Sequence, residues 1–329
     1  MLEQNTLKLL KDKKNLLAFS GGGDSTALFF LLLKNNIKFD IAIVDYGLRE
    51  QSKKEVFYAQ ELAKKYNLKC SLHVATKIEQ NFEASARKIR YDFFEKLILN
   101  QAYENLLTAH HLGDRFEWML MQFCKGAGCA ELSGMQTLEQ KETYKLIRPL
   151  LHVDKSELLE YLHLQNIKYF EDETNEDEAI KRNSFRHKYS QPLLKENLSG
   201  IKKSFEYIDA DKSLLINEIE PLHVEQFTYF KSSSIRSNIY HIDKHLKSLG
   251  FMISAKEREL LKTHKTLIVA RKFVINQNED YVFIVPYIRD ITMSKEFKEL
   301  MRSLHVEPKL RAYFYENEKS FEILKELVI

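Results

Sequence analysis

Cysteine is scarce in this chain, with three in 329 residues: Cys70, Cys124 and Cys129. That excludes a disulfide framework. Cys124 and Cys129 stand five apart, not at the two-residue gap of a zinc or redox pair, so all three read as structural thiols of a reducing compartment. Long apolar runs are also missing. The longest near the start, Ala27 to Leu33, falls far short of the ~20 residues a bilayer requires. Met1 to Asn5 carries no signal-peptide pattern, and the expectation is a cytoplasmic protein with no membrane contact. Neither sign of charge dominates: 50 Lys and Arg stand against 47 Asp and Glu, a net charge of +3. A polyanionic partner would have to be met by a local concentration of positive charge. There is a single Trp, although aromatics reach 12%, and no internal repeat or low-complexity segment.

What is present is the composition of a globular protein. Hydrophobic residues make up 44%, enough for a sizeable core. At ~150 residues per domain the length implies two domains. The boundary is expected near Leu198-Ser199-Gly200, giving a first domain over 1–198 and a second over 199–329.

The first half alternates short apolar runs with helical patterns. Leu16–Ser20, Asp40–Val44, Lys69–Val74 and Asn105–Ala109 read as strands. Helices are expected over about Asp24–Lys34, Ser52–Tyr66, Phe82–Leu99 and His111–Lys125. This order predicts βαβ units, a parallel Rossmann-like α/β sheet covered on both faces, and ligands bound beyond the C-terminal ends of its strands. The second half reads as mostly helical, with a β-hairpin formed by Thr266–Ala270 and Tyr281–Val285.

Ser20-Gly21-Gly22-Gly23-Asp24-Ser25 joins the first strand to its helix. Three glycines remove Cβ atoms, so backbone N–H groups can converge on an anion, and the helix N-terminus points at the same spot. Ser20, Ser25 and Thr26 add hydroxyls. The loop lacks the Gly-Lys-Ser/Thr ending of the kinase-type phosphate loop, and its glycine spacing is not the dinucleotide fingerprint. Asp24 beside a phosphate cradle is repulsive unless a cation bridges them, and Mg²⁺ is the natural bridge. The structural alternative is a glycine-rich turn with Asp24 as helix N-cap. Ser-Gly-Gly-x-Asp-Ser after an apolar strand resembles the ATP pyrophosphatase, or PP-loop, families, which implies cleavage of ATP to AMP and pyrophosphate.

Further on, His110, Asp114 and Glu117 are spaced to share one face of a helix directed at that loop, where a carboxylate pair can hold an ammonium group. An acidic first helical turn favoured by the dipole is the plainer reading of Asp114. Glu83, Arg87 and Arg90 share a face upstream, and fixed cations there suit a phosphate or a leaving nucleotide.

Together these residues resemble the tRNA(Ile)-lysidine synthetase family. The resemblance is carried by Ser20–Ser25; Gly47-Leu48-Arg49 with Ser52 and Glu55; Glu83, Arg87, Arg90 and Tyr91; His110, His111, Asp114 and Glu117; Lys125–Gly128 with Leu132–Met135; Arg148–Leu151; Glu171-Asp172 with Thr174-Asn175; and Arg182-Asn183 with Arg186-His187. The chain departs from the family at Tyr46, where a His is usual, and at Trp118, where a Thr is usual. The resemblance implies that ATP adenylates O2 of the wobble cytidine in a CAU-anticodon tRNA(Ile), and that the lysine ε-amine then attacks C2 and releases AMP. It places Ser20, Gly21, Gly22, Gly23, Asp24 and Ser25 on ATP, with Asp24 toward Mg²⁺. It gives lysine to Asp114 and Glu117, which would orient and deprotonate it, and gives the α-phosphate charge to Arg90 and Arg182. The plainer reading of Arg182 is a surface charge paired with the acidic run Glu171–Glu178.

A tRNA partner gives meaning to the segment Lys231–Lys272, which holds ten Lys and Arg against Asp243, Glu257 and Glu259, a local charge of +7. A solvated helical surface would look the same. Two alternatives stay open: another PP-loop tRNA-modifying enzyme such as a cytidine thiolase, and a catalytically inactive tRNA-binding module. A homodimer is also left open.

Overall fold

The computed structural model describes residues 1–47, 50–75, 78, 82–171 and 181–328. Leu48, Arg49, Asp172, Thr174 and Asn175, and the side chain of Glu83, lie outside the described residues. The chain forms two compact units, 1–208 and 209–329.

The first unit runs α1 (Gln4–Leu10), β1 (Asn15–Ala18), α2 (Gly23–Lys34), β2 (Phe39–Asp45), α3 (Glu50–Lys65), β3 (Cys70–Val74), α4 (Phe82–Gln101), β4 (Asn105–Leu107), α5 (Leu112–Phe123), α6 (Cys129–Leu132), β5 (Leu138–Gln140), β6 (Lys145–Ile147), α7 (Lys155–Leu164) and α8 (Lys181–Phe185). A π-helical turn, Arg186–Ser190, then leads into α9 (Gln191–Leu215). Its sheet has the order β3-β2-β1-β4-β6-β5. Every pairing is parallel except that of the edge strand β5 with β6. The four strands and four helices expected from the alternation are all present.

The centre of this sheet is buried on both faces, so its strands are continuous apolar runs rather than alternating ones. Leu17, Ile41, Ile43 and Leu107 pack on one face with Leu28, Phe29 and Leu32 of α2. Leu16, Ala42 and Leu106 pack on the other with Phe94 and Ile98 of α4. Strand order reverses at β1, between β2 and β4, and a crevice at such a reversal is where open α/β sheets bind ligands.

The second unit carries β7 (Leu222–Val224), β8 (Phe227–Lys231), α10 (Ile235–Ser248), α11 (Ala255–Thr263), β9 (Thr266–Val269), β10 (Phe273–Gln277), β11 (Tyr281–Pro286), α12 (Lys295–Ser303), α13 (Pro308–Glu316) and α14 (Glu318–Val328). Its five strands form an antiparallel sheet in the order β7-β8-β11-β10-β9. The two strands expected to form a hairpin with each other do not pair. β10 lies between them, Ile275 standing opposite both Leu267 and Ile284. Apolar residues alternate along β10, with Val274 in one core and Ile275 in the other, so this strand is covered on both sides. The division between units falls at Ile208, and α9 is kinked at Asn197, where φ −131° and ψ 29° leave the helical region just before Leu198-Ser199-Gly200.

Candidate active site

β1 delivers the chain into the glycine loop. Gly21 adopts φ +79°, the left-handed region that favours glycine. Hydroxyls hold the loop together. Ser25 Oγ accepts from the Ser20 N–H at 3.2 Å, lies 3.0 Å from Ser20 Oγ, and donates to the Gly22 carbonyl at 3.1 Å. Thr26 Oγ1 donates to the Gly21 carbonyl at 3.3 Å. From outside, the Phe170 N–H donates to the Gly21 carbonyl at 3.0 Å, and Gly22 bridges Phe170 in parallel. The six residues expected to bind phosphate thus form one braced turn that opens into the N-terminus of α2.

The N-cap of α2 is Gly22, with no side-chain cap, so Asp24 does not serve as the cap. Its Oδ1 is buried and meets no hydrogen-bond partner among the described residues. A buried carboxylate oxygen left unmatched is costly.

The second constellation grows from β4. His111 caps α5: its Nδ1 accepts from the Gly113 N–H at 3.0 Å, and its own N–H donates to Asp114 Oδ2 at 3.0 Å. This reciprocal box fixes the first turn of α5. His110 lies before the helix, so it does not continue the Asp114–Glu117 face. It is held instead by Thr108 Oγ1 at 2.9 Å. Burial pushes the His110 imidazole down to about 4, against the opposing pull of Asp114, and the charges of Arg148, Arg182 and Arg87 depress it further.

Asp114 and Glu117 are closed over by two arginines. Arg182 of α8 donates through Nη2 to Asp114 Oδ1 at 2.9 Å and through Nε to Glu117 Oε1. Arg186 of the π-helical turn donates through Nε to Glu117 Oε2 at 2.9 Å, and its Nη2 lies 3.6 Å from Asp114 Oδ1. Glu117 is 1% exposed, whereas Arg182 is 39% exposed. Burial alone would raise the Asp114 carboxyl, but His111, His110, Arg182 and the His111 N–H hold it well below the usual carboxylate range.

The two constellations meet at His111, whose Nε2 lies 3.8 Å from Asp24 Oδ2 and 3.5 Å from Asp114 Oδ2. Behind them Arg115 is buried; it donates twice to the Ser133 carbonyl, at 3.1 and 2.9 Å, and lies 4.2 Å from the Phe205 ring centroid. It ties α5 to the 133–136 turn and to α9.

The structure therefore gathers Asp24, Asp114, Glu117 and Arg182. Arg90 stands apart from these contacts: it is exposed on α4 and bears on Tyr46. Burial raises the Tyr46 phenol while Arg90 opposes the rise, and the hydroxyl donates to the Ala86 carbonyl at 3.0 Å. Arg87 stacks at 4.7 Å over Tyr91. Trp118 packs on Gly134, where an added Cβ would lie 2.7 Å from the indole. The sequence reading gave no role to His111 or Arg186. The signal for Arg186 was its i,i+4 spacing from Arg182, which puts both arginines within one turn, as the i,i+3 spacing does Asp114 and Glu117.

A PP-loop domain family matches residues 2–193. The chain is 42% identical to a tRNA(Ile)-lysidine synthase of Helicobacter pylori, over 94% of this chain and 91% of that one. It is 40% identical to one of Campylobacter jejuni, over 95% and 96% of the two chains. Among solved structures it is similar to the U34-tRNA thiolase NcsA from Methanococcus maripaludis with its 4Fe–4S cluster. The TM-score is 0.53 and identity 18%, over 66% of this chain and 78% of that one, a likeness of fold alone.

Proposed function

Since this chain belongs to the tRNA(Ile)-lysidine synthase family, we propose that it joins lysine to C2 of the wobble cytidine of a CAU-anticodon tRNA(Ile), cleaving ATP to AMP and pyrophosphate. The observation that carries this reading onto the chain's own residues is the His111 bridge. It sets the glycine loop and the Asp114–Glu117 pair side by side, as a two-step reaction at one base requires.

In the first step cytosine O2 attacks the α-phosphorus and pyrophosphate leaves. Ser20, Gly21, Gly22, Gly23 and Ser25 hold the phosphates through backbone N–H groups and hydroxyls. The unmatched Oδ1 of Asp24 fits Mg²⁺, an ion that takes one or two carboxylates together with substrate phosphates. Held there, Mg²⁺ would supply neutralisation of phosphate charge.

In the second step the lysine ε-amine attacks C2 and AMP leaves with O2. An ammonium of pKa ~10.4 must first lose a proton. Asp114, held strongly acidic, suits holding the ammonium better than accepting its proton, since a general base works best near the operating pH. Proton acceptance is assigned to Glu117, which lies beside Asp114 under the same two arginines. The half-exposed Arg182 is the partner that an entering ammonium displaces, and it then turns to charge on the α-phosphate. Arg90, exposed on α4 beside Tyr46, is the further cation assigned to the α-phosphate. The second unit, 209–329, holds the tRNA body, its Lys231–Lys272 segment having seven more bases than acids. Within that segment Asp243 takes Lys247 and Arg258, at 2.7 and 3.3 Å.

Against the thiolase alternative stands the spacing of Cys124 and Cys129, five apart, and the likeness to the thiolase is one of fold alone. The test is incubation with ATP, Mg²⁺, labelled lysine and CAU-anticodon tRNA(Ile). Label enters the RNA with release of AMP and pyrophosphate. Pyrophosphate release with a different acceptor, and no lysine incorporation, would overturn the assignment.

A further inference from the structure

The first turns of α3 present Lys53, Lys54, Phe57 and Tyr58 on one side. Together with Lys168 and Phe170 from the segment after α7, and with Glu61, they line a surface concavity of about 370 Å³. Phe57 is 64% exposed, with its ring free of the core that α3 helps to build. Lys168 Nζ lies 5.2 Å from the Phe170 ring centroid, and Tyr58 packs edge-on to Phe170 at 5.7 Å.

We propose that this concavity binds an unpaired segment of the RNA substrate, one base stacked on Phe57 and the adjoining phosphates met by Lys53, Lys54 and Lys168. The inference rests on the lysidine-forming reading and assigns residues to its RNA path. Three lysines face one glutamate here, in a chain whose overall charge is close to balanced. That is the local concentration of positive charge that a polyanion requires. An exposed ring among lysines matches single-stranded nucleic acid, where a base offers a π-face and its backbone offers charge. A duplex would keep its bases stacked within itself and leave the ring unused.

The concavity adjoins the glycine loop through Phe170. Phe170, which lines it, is bonded through its backbone to Gly21 and Gly22, and its ring lies 3.5 Å from the point where a Cβ on Gly21 would stand. RNA seated on Phe57 therefore runs beside the loop where the cytidine is to be activated.

The test measures tRNA dissociation constants across a salt series for the parent chain, Phe57→Ala, Phe57→Trp and the triple variant Lys53→Ala, Lys54→Ala, Lys168→Ala. Phe57→Ala weakens binding about tenfold and Phe57→Trp retains it, as a stacking contact requires. The triple variant lowers the slope of log affinity against log salt by roughly 2, from about 0.7 per single-strand phosphate contact. ATP affinity and melting temperature report that each variant is folded. Parental affinity and slope in folded variants overturn the proposal. So does a changed sedimentation behaviour with tRNA binding intact, which makes the patch an interface between protein copies. Failure of the parent chain itself to bind tRNA overturns the reading of function beneath it.

Discussion

The imidazole of His111 stands with Nε2 3.8 Å from Asp24 Oδ2, and the same nitrogen lies 3.5 Å from Asp114 Oδ2. One ring thus spaces the carboxylate of the glycine loop from the carboxylate of the second constellation. Its Nδ1 is committed to capping α5, so the ring cannot turn without undoing that cap. His111→Ala is expected to cost about 1 kcal/mol of stability from the lost cap and to slow lysine transfer more than pyrophosphate release. Thermal denaturation and separate assays of the two half-reactions check this. Equal slowing of both would count against a spacing role.

Asp24→Asn keeps the size of the side chain and removes its charge. Pyrophosphate release should fall ~10²–10³-fold, the usual effect of deleting one electrostatic contact at a reacting phosphate. Raising Mg²⁺ should recover part of it. The measurement is initial rate against Mg²⁺ concentration, and a near-parental rate would remove Asp24 from the cation site.

Glu117→Ala leaves Arg186 and Arg182 facing a gap where a buried carboxylate stood. Stripping one partner from a buried ion pair costs about 3 kcal/mol or more. Glu117→Gln should fold better while leaving adenylated tRNA unconsumed. Denaturant titration and detection of the adenylated RNA separate the two effects; full lysine transfer by Glu117→Gln would sink the proton-accepting role.

His110 predicts a pH dependence. Its folded value is pushed down to about 4 from an ordinary 6.5 by burial. Between these values the unfolded chain binds a proton that the folded chain refuses, so stability falls as pH drops through that window. The full effect is roughly 3 kcal/mol. His110→Asn should flatten this part of the stability profile, measured by urea midpoints from pH 7.5 to 4. An unchanged slope would assign the acid sensitivity elsewhere.

Gly134 has φ +62°, and an added Cβ would meet Trp118 at 2.7 Å. Gly134→Ala should cost about 2 kcal/mol or more, from the left-handed backbone and the clash together. In a Trp118→Thr background the clash is gone and about 1 kcal/mol should remain. A double-mutant cycle of melting temperatures checks this coupling, and additive losses would deny it.

How much was legible differs from element to element, for physical reasons. The strands and helices of the first unit followed from apolar runs alternating with helical periodicity, because a parallel sheet covered on both faces leaves that record in the chain. The loop Ser20–Ser25 was legible because glycines, hydroxyls and one carboxylate at fixed offsets form a local device. The strand Phe273–Gln277 was not, since its pairing depends on one partner on each side, β9 and β11, which no local pattern records.

The sequence by itself determined the α/β order, the glycine loop and the residue types needed to activate a base and hold an amine. Only the tertiary structure decided who touches whom. Arg182 and Arg186 close on Asp114 and Glu117 from more than sixty positions away, and Arg90 bears on Tyr46. Spacing along one helix reports which side chains share a face, whereas contacts between distant segments are set by how the elements pack around a common core.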